Sequence, residues 1–408
     1  MSVQTSDARL LALAAEHGTP LYVYNVDVIS AQYKALTQAF QAAPAKFFYA
    51  CKALTNLSIL QHIAALGCNI DCSSINEAHL ALRAGFSPQR ILYTSNGIGF
   101  AEIQTAVALG LTVNIDSLSN LDKFGAAYGG TYPVGLRLRP NIMAGGNLKI
   151  STGHANSKFG IPIEQMDQVQ ALRQAHGLRI AGLHVHTGSE VKDLAVFMQV
   201  AEIFAALLPQ FPDLVYLDMG GGFKVPYKDE EVGTDMAALG KAVADFFAHL
   251  EKTQGRKLEA WFEPGKYLVS ACGHFVTSVN VIKENPTATV VGINTGFNNL
   301  IRPMFYDAYH RIRNISHPQG PLQSYTVVGH ICETDTFATD RPLAQVREGD
   351  VLVFDNAGAY GFEMGSHYNS RFLPAQVMVR GEENFLIRKR DQLDDLLHNQ
   401  ILIAPKIS

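Results

Sequence analysis

Four short stretches carry residue types that could do chemistry together. Lys52 ends the apolar run Phe47-Phe48-Tyr49-Ala50-Cys51, which is bounded by Pro44 before it and by the Asn56-Leu57 helix start after it. It therefore stands at the C-terminal end of an expected strand. A lysine held in a dry pocket loses its proton readily and can condense with an aldehyde; the plain alternative is a lysine reaching out to solvent from a strand end. Gly220-Gly221-Gly222-Phe223 follows a strand ending Leu217-Asp218-Met219, and lets backbone N–H groups approach an anion with no side chain in the way. The G-x-G-x-x-G spacing of a dinucleotide site is absent, and an ordinary turn has the same composition. His186-Thr187-Gly188-Ser189 adds a hydroxyl that could donate to the same anion and an imidazole that could lie on a ring face, although a histidine ending a strand is also a common core residue. Glu263-Pro264-Gly265 puts a carboxylate at a strand end, followed by two residues that turn the chain away. Such a carboxylate would keep a pyridine nitrogen protonated. A lysine for an aldehyde, glycines and a serine for a phosphate, a histidine for a ring face and a glutamate for a ring nitrogen describe pyridoxal 5'-phosphate.

These residues need a scaffold that brings strand ends together. Strand patterns fall at Phe47–Cys51, Cys68–Ser73, Ile91–Ser95, Val113–Ser117, Val134–Pro140, Ile180–Thr187, Val215–Met219 and Leu258–Glu263, with helical spacing between them at Leu57–Leu66, Ile75–Ala84, Ala101–Leu109, Asp193–Leu208 and Met236–Lys252. Eight strands alternating with helices predict a closed (β/α)8 TIM-like barrel, whose C-terminal mouth is where chemistry is placed. Polar or glycine residues stand at all eight mouths: Lys52, Asp71, Asn96, Asp116, Arg137, His186, Gly220 to Gly222 and Glu263. Past Gly265 the pattern becomes strand after strand, at Phe275–Lys283, Ala288–Asn294, Tyr325–Gly329, Asp350–Asn356, Gln376–Arg380 and Asn384–Arg388, with a helix only at Asp391–Leu397. The fold class expected is α/β plus all-β: a barrel over residues 27–264, and a C-terminal β-barrel or sandwich domain over 265–408. Residues 1–26, with a strand near Tyr22, are expected to join that second domain.

Composition narrows the function further. The chain has 408 residues, 47% of them hydrophobic and 17% charged, with a net charge of -4. That balance offers no basic surface for nucleic acid or a membrane. The first 18 residues carry Asp7, Arg9 and Glu16 around a Leu/Ala run, an amphipathic helix rather than a signal peptide, and no apolar run approaches the roughly 20 residues of a membrane span. Five cysteines without metal-ligand spacing fit reduced thiols in a cytoplasmic protein. Cys51, Cys68, Cys72 and Cys272 read as buried small apolar residues.

Tyr49-Ala50-Cys51-Lys52-Ala53, His186-Thr187-Gly188-Ser189, Gly220-Gly221-Gly222, Glu263-Pro264-Gly265, Cys332-Glu333-Thr334-Asp335 and Ala357-Gly358-Ala359-Tyr360, in this order over roughly Thr19 to Val377, resemble the alanine-racemase-type, fold type III decarboxylases of basic amino acids. Within that group they are most similar to the diaminopimelate decarboxylase family. The resemblance implies Lys52 as the Schiff-base lysine and His186 on the cofactor ring. It implies Ser189, Gly221, Gly222, Gly265 and Tyr360 around the phosphate, and Glu263 at the pyridine nitrogen. Cys332 and Glu333 would be supplied across a homodimer interface, with Cys332 catalytic, and Arg302, Tyr306, Glu333 and Tyr360 would contact an amino-acid substrate. The substrate so implied is meso-2,6-diaminopimelate, whose distal carboxylate calls for a guanidinium fork and whose distal ammonium calls for a carboxylate. Arg302 and Glu333 supply one of each, whereas an arginine would repel the far amine of ornithine. The alternative within the fold is a decarboxylase of ornithine, D-lysine, D-ornithine or carboxynorspermidine. Lys266, a further substrate contact the resemblance implies, stands where the family usually has arginine, keeping the charge but losing the bidentate fork. The Ile150–Gly160 segment resembles the family's specificity loop.

Overall fold

The first unit of structure in the chain is α1 (Asp7–His17), capped by the Ser6 hydroxyl accepting from Arg9 N–H, followed by β1 (Leu21–Asn25) and α2 (Val26–Ala39). Then strand and helix alternate: β2 (Ala45–Ala50), α3 (Leu57–Ala65), β3 (Asn69–Cys72), α4 (Ile75–Arg83), β4 (Ile91–Thr94), α5 (Phe100–Ala108), β5 (Thr112–Ile115), α6 (Leu118–Tyr128), β6 (Val134–Arg139), the two-residue β7 (Ile161–Pro162), α7 (Met166–His176), β8 (Ile180–His184), α8 (Leu194–Leu207), β9 (Tyr216–Asp218), α9 (Met236–Gln254) and β10 (Glu259–Phe262). The computed structural model describes residues 5–142, 153 and 157–403, and its contacts divide the chain into Ile29–Ser270 and a second unit of Met1–Val28 with Ala271–Ser408.

Local chemistry explains the alternation in the first of these. Asn56, Ser74, Ser117, Asp193 and Asp235 each cap a helix by accepting from a first-turn N–H, which satisfies donors that a helix start otherwise leaves unpaired. Gly177 and Gly255 end α7 and α9 in the left-handed conformation. The strands pair in parallel in the order β5-β4-β3-β2-β10-β9-β8-β6, and β5 also pairs with β6. The eight-stranded barrel is therefore closed, as the sequence pattern predicts. β7 hangs on the edge of β6.

Side chains on a strand alternate between barrel interior and helix layer, so the interior can be followed upward in steps of two. Phe48, Leu92, Tyr216 and Trp261 form one buried cluster. Tyr216 and Trp261 stack with centroids 3.6 Å apart and planes 2° apart. The Tyr216 hydroxyl donates to Asn114 Oδ1 at 2.9 Å, and Asn114 Nδ2 donates to Thr94 Oγ1 at 3.0 Å. Room for this plug comes from Gly182, where a Cβ would lie 1.9 Å from the Tyr216 ring, and from Gly135, where one would lie 1.9 Å from Asn114 Oδ1. Two residues beyond Asn114, Gly135, Gly182, Tyr216 and Trp261 stand Asp116, Arg137, His184, Asp218 and Glu263, all buried. The apolar plug thus supports a charged layer just below the mouth.

Several strands stop sooner than the sequence pattern suggests. β8 ends at His184, so His186 lies in the loop beyond it, and β2 ends at Ala50, with Lys52 on a single 3-10 turn over Cys51–Ala53. β5 ends at Ile115 and leaves Asp116 just outside. At these positions the backbone leaves the ladder to form the mouth, while side-chain polarity alone still reads as strand.

The second unit contains α10's successor strands, α10 itself (Lys266–Val269) belonging to the first. They are β11 (Gly273–Glu284), β12 (Thr289–Ile293), β13 (Ile312–Asn314), β14 (Leu322–Val328), β15 (Thr336–Ala344), β16 (Val351–Phe354), β17 (Ala375–Arg380) and β18 (Glu383–Arg388), with short helices α11 (Arg302–Tyr306) and α12 (Leu393–Leu397). β1, which holds Tyr22, inserts between β11, antiparallel, and β17, parallel. Its side chains pack with α1 in a core of Leu10, Leu13, Leu21, Val23, Val276, Val353 and Val377. Eight strands follow Gly265 where the pattern suggests six. β13 has only three residues, and β15 carries the polar run Asp340-Arg341-Pro342 with Asp340 at φ 47, which breaks the alternation that reveals a strand. The last helix starts at Leu393, two residues later than Asp391.

Candidate functional site

The glycine turn after β9 needs its glycines for space. Gly220 and Gly222 have φ of 68° and 86°, and a Cβ on Gly221 would lie 2.0 Å from Glu263 O, while one on Gly222 would lie 1.9 Å from Gly188 O. The turn is thus pressed against the His186–Ser189 loop and the end of β10. Gly220 N–H donates to Asp218 Oδ1 at 2.8 Å, Gly221 N–H to His186 Nδ1 at 3.2 Å, and Val191 N–H to Gly222 O at 2.8 Å. Because Nδ1 of His186 accepts, its ring proton sits on Nε2. Burial, aided by Arg137 and Lys52 against the pull of Glu263, takes the pKa of His186 down to about 3. The ring is therefore neutral at physiological pH, and part of its surface reaches the mouth.

The charged layer lies beside this turn. Lys52 Nζ, on a side chain that is 45% exposed, is 3.4 Å from Asp71 Oδ2 and 3.5 Å from Ser73 Oγ. Burial and the charge of Glu263 push Asp71 up to about 8, with Lys52 opposing. Burial raises Asp218 well above the carboxylate range. For Glu263 burial also disfavours the charge, but His184, Lys52 and His186 outweigh it and hold the carboxyl below its ordinary value. His184 Nε2 lies 3.2 Å from Glu263 Oε1, within ion-pair distance but not aligned as a hydrogen bond, and burial lowers the pKa of that imidazole. Donor atoms of His184, Asp218 and Glu263 lie within 4.8 Å of one another. Arg137, its pKa lowered by burial and supported by Glu263, Asp116 and Asp71, sits 4.6 Å over the Phe159 ring.

Glu263 Oε1, Asp218 Oδ2, Asp71 Oδ1 and both nitrogens of His184 are buried with no hydrogen-bond partner among the described residues. Buried polar atoms are rarely left so in a finished structure. Together with an amine on Lys52, an imidazole face and a glycine turn that no side chain can enter, they fit pyridoxal 5'-phosphate, for which Glu263 could meet the ring nitrogen and the turn the phosphate.

Ser189 and Gly265 flank this cradle in sequence, Ser189 half-buried and Gly265 buried. Lys266 opens α10 and is buried, paired with Glu190, whose φ is 65°. Of the Ile150–Gly160 segment, residues 150–152 and 154–156 lie outside the described residues; Gly153 N–H donates to Thr187 O at 3.3 Å, and Ser157 O accepts from Arg139 Nη1 at 2.7 Å.

The remaining expected residues stand in the second unit. Arg302 begins α11, is 7% exposed, and donates through Nε to His310 Nε2 at 3.4 Å. Tyr306 ends α11, with its ring 4.6 Å from that of Phe305. Cys332 is exposed and its thiol donates to Glu333 Oε2 at 3.2 Å, while Asn369 Nδ2 donates to Cys332 Sγ at 3.2 Å. The Tyr368 hydroxyl donates to Glu333 Oε1; that bond, with the one from Cys332, holds Glu333 below its usual range and pushes Tyr368 up to about 12. Tyr360 is half-buried with φ 55°. The other four cysteines are buried.

Sequence reasoning passed over His184, Asp218, Glu190, His310, Tyr368 and Asn369. A signal existed for the first two: His184 lies two residues before His186, and Asp218 two before Gly220, so strand parity alone aims them inward. The others depend on contacts distant in sequence.

Residues 26–270 match the family described as pyridoxal-dependent decarboxylase, pyridoxal binding domain. Over 404 residues the chain is 36% identical to the diaminopimelate decarboxylase of Methanothermobacter thermautotrophicus, covering 96% of this chain and 94% of that protein. A crystal structure of a diaminopimelate decarboxylase superposes with a TM-score of 0.89 at 32% identity, covering 96% of both chains. The enzyme from Helicobacter pylori complexed with L-lysine superposes at 0.87 with 31% identity, covering 95% of this chain and 98% of that one. The chain belongs to the pyridoxal-dependent decarboxylases, in the diaminopimelate decarboxylase family.

Proposed function

We propose that this protein decarboxylates meso-2,6-diaminopimelate to L-lysine and carbon dioxide, the closing step of lysine biosynthesis, with pyridoxal 5'-phosphate as cofactor. The observation that carries the reading is the convergence of Lys52, His186, Glu263 and the Gly220–Gly222 turn on one barrel mouth, over a layer of buried polar atoms without partners. Pyridoxal 5'-phosphate, when bound, supplies an aldehyde that condenses with amines and a ring that takes up the electron pair left behind as a carboxylate departs.

The chain's own groups do the rest. Lys52 presents its amine at the mouth, and Asp71 and Ser73 at 3.4 and 3.5 Å fix where Nζ sits. Glu263, kept ionised by its neighbours, holds a proton on the ring nitrogen, so charge that develops during bond cleavage meets a fixed counter-charge. The neutral imidazole of His186, its Nδ1 occupied by Gly221 N–H, offers a flat uncharged face. The phosphate is placed against the Gly221–Gly222 turn, where the Gly222 amide, the Ser189 hydroxyl and Gly265 would meet it, Gly221 N–H being already given to His186 Nδ1, and Lys266 would meet the substrate.

Arg302 and Glu333 recognise the distal carboxylate and ammonium, with Tyr306 beside them; a guanidinium fork suits a carboxylate and is unsuited to the bare amine at the end of ornithine. Cys332 is the candidate donor of the proton that replaces the lost carboxylate, its thiol hydrogen aimed at Glu333 Oε2 and its sulfur supported by Asn369 Nδ2. In this reading two copies pair, each lending Cys332 and Glu333 to the other, and the protein works in the cytoplasm. Among the described residues no helix is long and apolar enough to cross a membrane.

The test is carbon dioxide release from purified protein with added pyridoxal phosphate, comparing meso-diaminopimelate with L-ornithine, L-lysine, D-lysine and carboxynorspermidine. Strong preference for meso-diaminopimelate is expected. Turnover confined to one of the others would keep the fold and Lys52 and overturn the substrate.

A further inference from the structure

The proposed role of Arg302 raises the question of what aims its guanidinium, and the inference that follows rests on that reading. Arg302 and His310 are 7% and 2% exposed, eight residues apart, with Arg302 Nε–H donating to His310 Nε2 at 3.4 Å. The other ring nitrogen, Nδ1, is 3.0 Å from the backbone oxygen of Asp355. A carbonyl oxygen only accepts and a guanidinium only donates. One form of the ring satisfies both: the neutral tautomer with its hydrogen on Nδ1 and its lone pair on Nε2. Burial and the neighbouring Arg302 lower the pKa of His310 to about 3, so this form persists at any pH at which the protein works.

The ring is itself held. Arg341 Nη1 donates to the His310 backbone oxygen at 2.6 Å. The Asp355 carboxylate, whose residue supplies the carbonyl that fixes Nδ1, takes Arg313 Nε at 2.8 Å and His274 Nδ1 at 3.0 Å. A neutral acceptor has a particular use beside a recognition arginine. A carboxylate in its place would orient the guanidinium equally well but would add a counter-charge that competes with an anionic ligand, whereas an uncharged imidazole orients it and adds none.

We infer that His310 is a positioning residue for substrate recognition: by accepting Arg302 Nε–H without neutralising it, His310 sets the plane in which the terminal amino groups of Arg302 meet a distal carboxylate. The role is specific to ligands that carry that carboxylate. L-Lysine retains it, being the far head of the substrate, and cadaverine lacks it.

The experiment uses the holoenzyme and compares His310→Gln with His310→Glu, which fill the same space and can both accept at the Nε2 position but differ in charge, together with His310→Asn, which keeps the bond to Asp355 O and loses the acceptor. Binding of L-lysine and of cadaverine is measured by calorimetry, and KM and kcat for meso-diaminopimelate by carbon dioxide release. His310→Gln is expected to bind L-lysine within about threefold of the parent. His310→Glu and His310→Asn are expected to lose about tenfold in L-lysine affinity and to raise KM similarly, with kcat within about twofold and cadaverine unchanged. Equal behaviour of the Gln and Glu variants, or equal loss for L-lysine and cadaverine, overturns the inference. Arg302→Ala separates it from the reading beneath it: if that variant keeps L-lysine affinity, the substrate role of Arg302 falls and the inference with it. If Arg302→Ala loses it while the His310 variants do not, the inference alone falls.

Discussion

Gly222 and Gly67 make a matched pair for testing whether the glycine turn is a cradle. Their φ angles are 86° and 85°, so alanine at either position carries the same left-handed backbone cost, about 1 kcal/mol. They differ in what the new Cβ meets. At Gly67 nothing lies within 4 Å, while at Gly222 the Cβ would be 1.9 Å from the carbonyl oxygen of Gly188. That atom belongs to the backbone and cannot rotate aside, so the turn and the His186–Ser189 loop must separate. Forced separations of this kind cost about 1–3 kcal/mol beyond the backbone term. Gly67→Ala should therefore lower stability by about 1 kcal/mol and Gly222→Ala by about 2–4 kcal/mol, or roughly 4 °C against 10 °C of melting temperature for a unit of this size. The same displacement moves the Gly221 and Gly222 amides. Cofactor affinity in Gly222→Ala should fall by about 10- to 1,000-fold and in Gly67→Ala not at all. Thermal unfolding of the cofactor-free proteins and titration with pyridoxal phosphate read the two quantities separately. A Gly222→Ala protein with the melting temperature and cofactor affinity of Gly67→Ala would refute the close-approach argument.

Two further expectations concern buried charge. Asp355 is held down to about 2 because its pairs with His274 and Arg313 outweigh the effect of burial. With an unfolded value near 3.9, that depression contributes about 2.5 kcal/mol, present above about pH 4 and lost as pH falls toward 2. Urea unfolding should show Asp355→Asn less stable than the parent by about that amount at pH 7, with the gap shrinking to about a third by about pH 2.5; a gap independent of pH would contradict the assignment. Glu190→Ala leaves the ammonium of buried Lys266 without the carboxylate it faces, and the cofactor-free protein should lose about 1–3 kcal/mol in the same assay. An unchanged unfolding midpoint would show that the pair holds nothing.

The barrel was legible because its cues are local and repeat. Five of the barrel's helix starts are marked by a residue such as Ser74, Ser117 or Asp235 that caps the helix within three residues, and the strands are short apolar runs. The mouth was legible for a related reason. Lys52, the glycine turn and Glu263 break apolar runs where a purely structural barrel has no need of them. What stayed hidden depends on partners far along the chain. Glu190 reads as one acid among many until Lys266 lies beside it. His310 is an ordinary histidine until Arg302 and the Asp355 carbonyl bracket its two nitrogens. Strand ends were overrun at His186 and Cys51 because a side chain can carry on the strand pattern after its backbone has left the ladder. β15 was missed because Asp340-Arg341-Pro342 interrupts it with residues that individually favour a turn.

The central claim is that Lys52 holds the cofactor. Incubating the protein with pyridoxal 5'-phosphate, reducing with borohydride to fix a lysine-bound aldehyde as a stable amine, and mapping the added mass by peptide sequencing tests it most directly. One pyridoxyl group per chain is expected, on the peptide carrying Lys52, and none in Lys52→Ala. Label on another lysine such as Lys266, or uptake undiminished in Lys52→Ala, would contradict it.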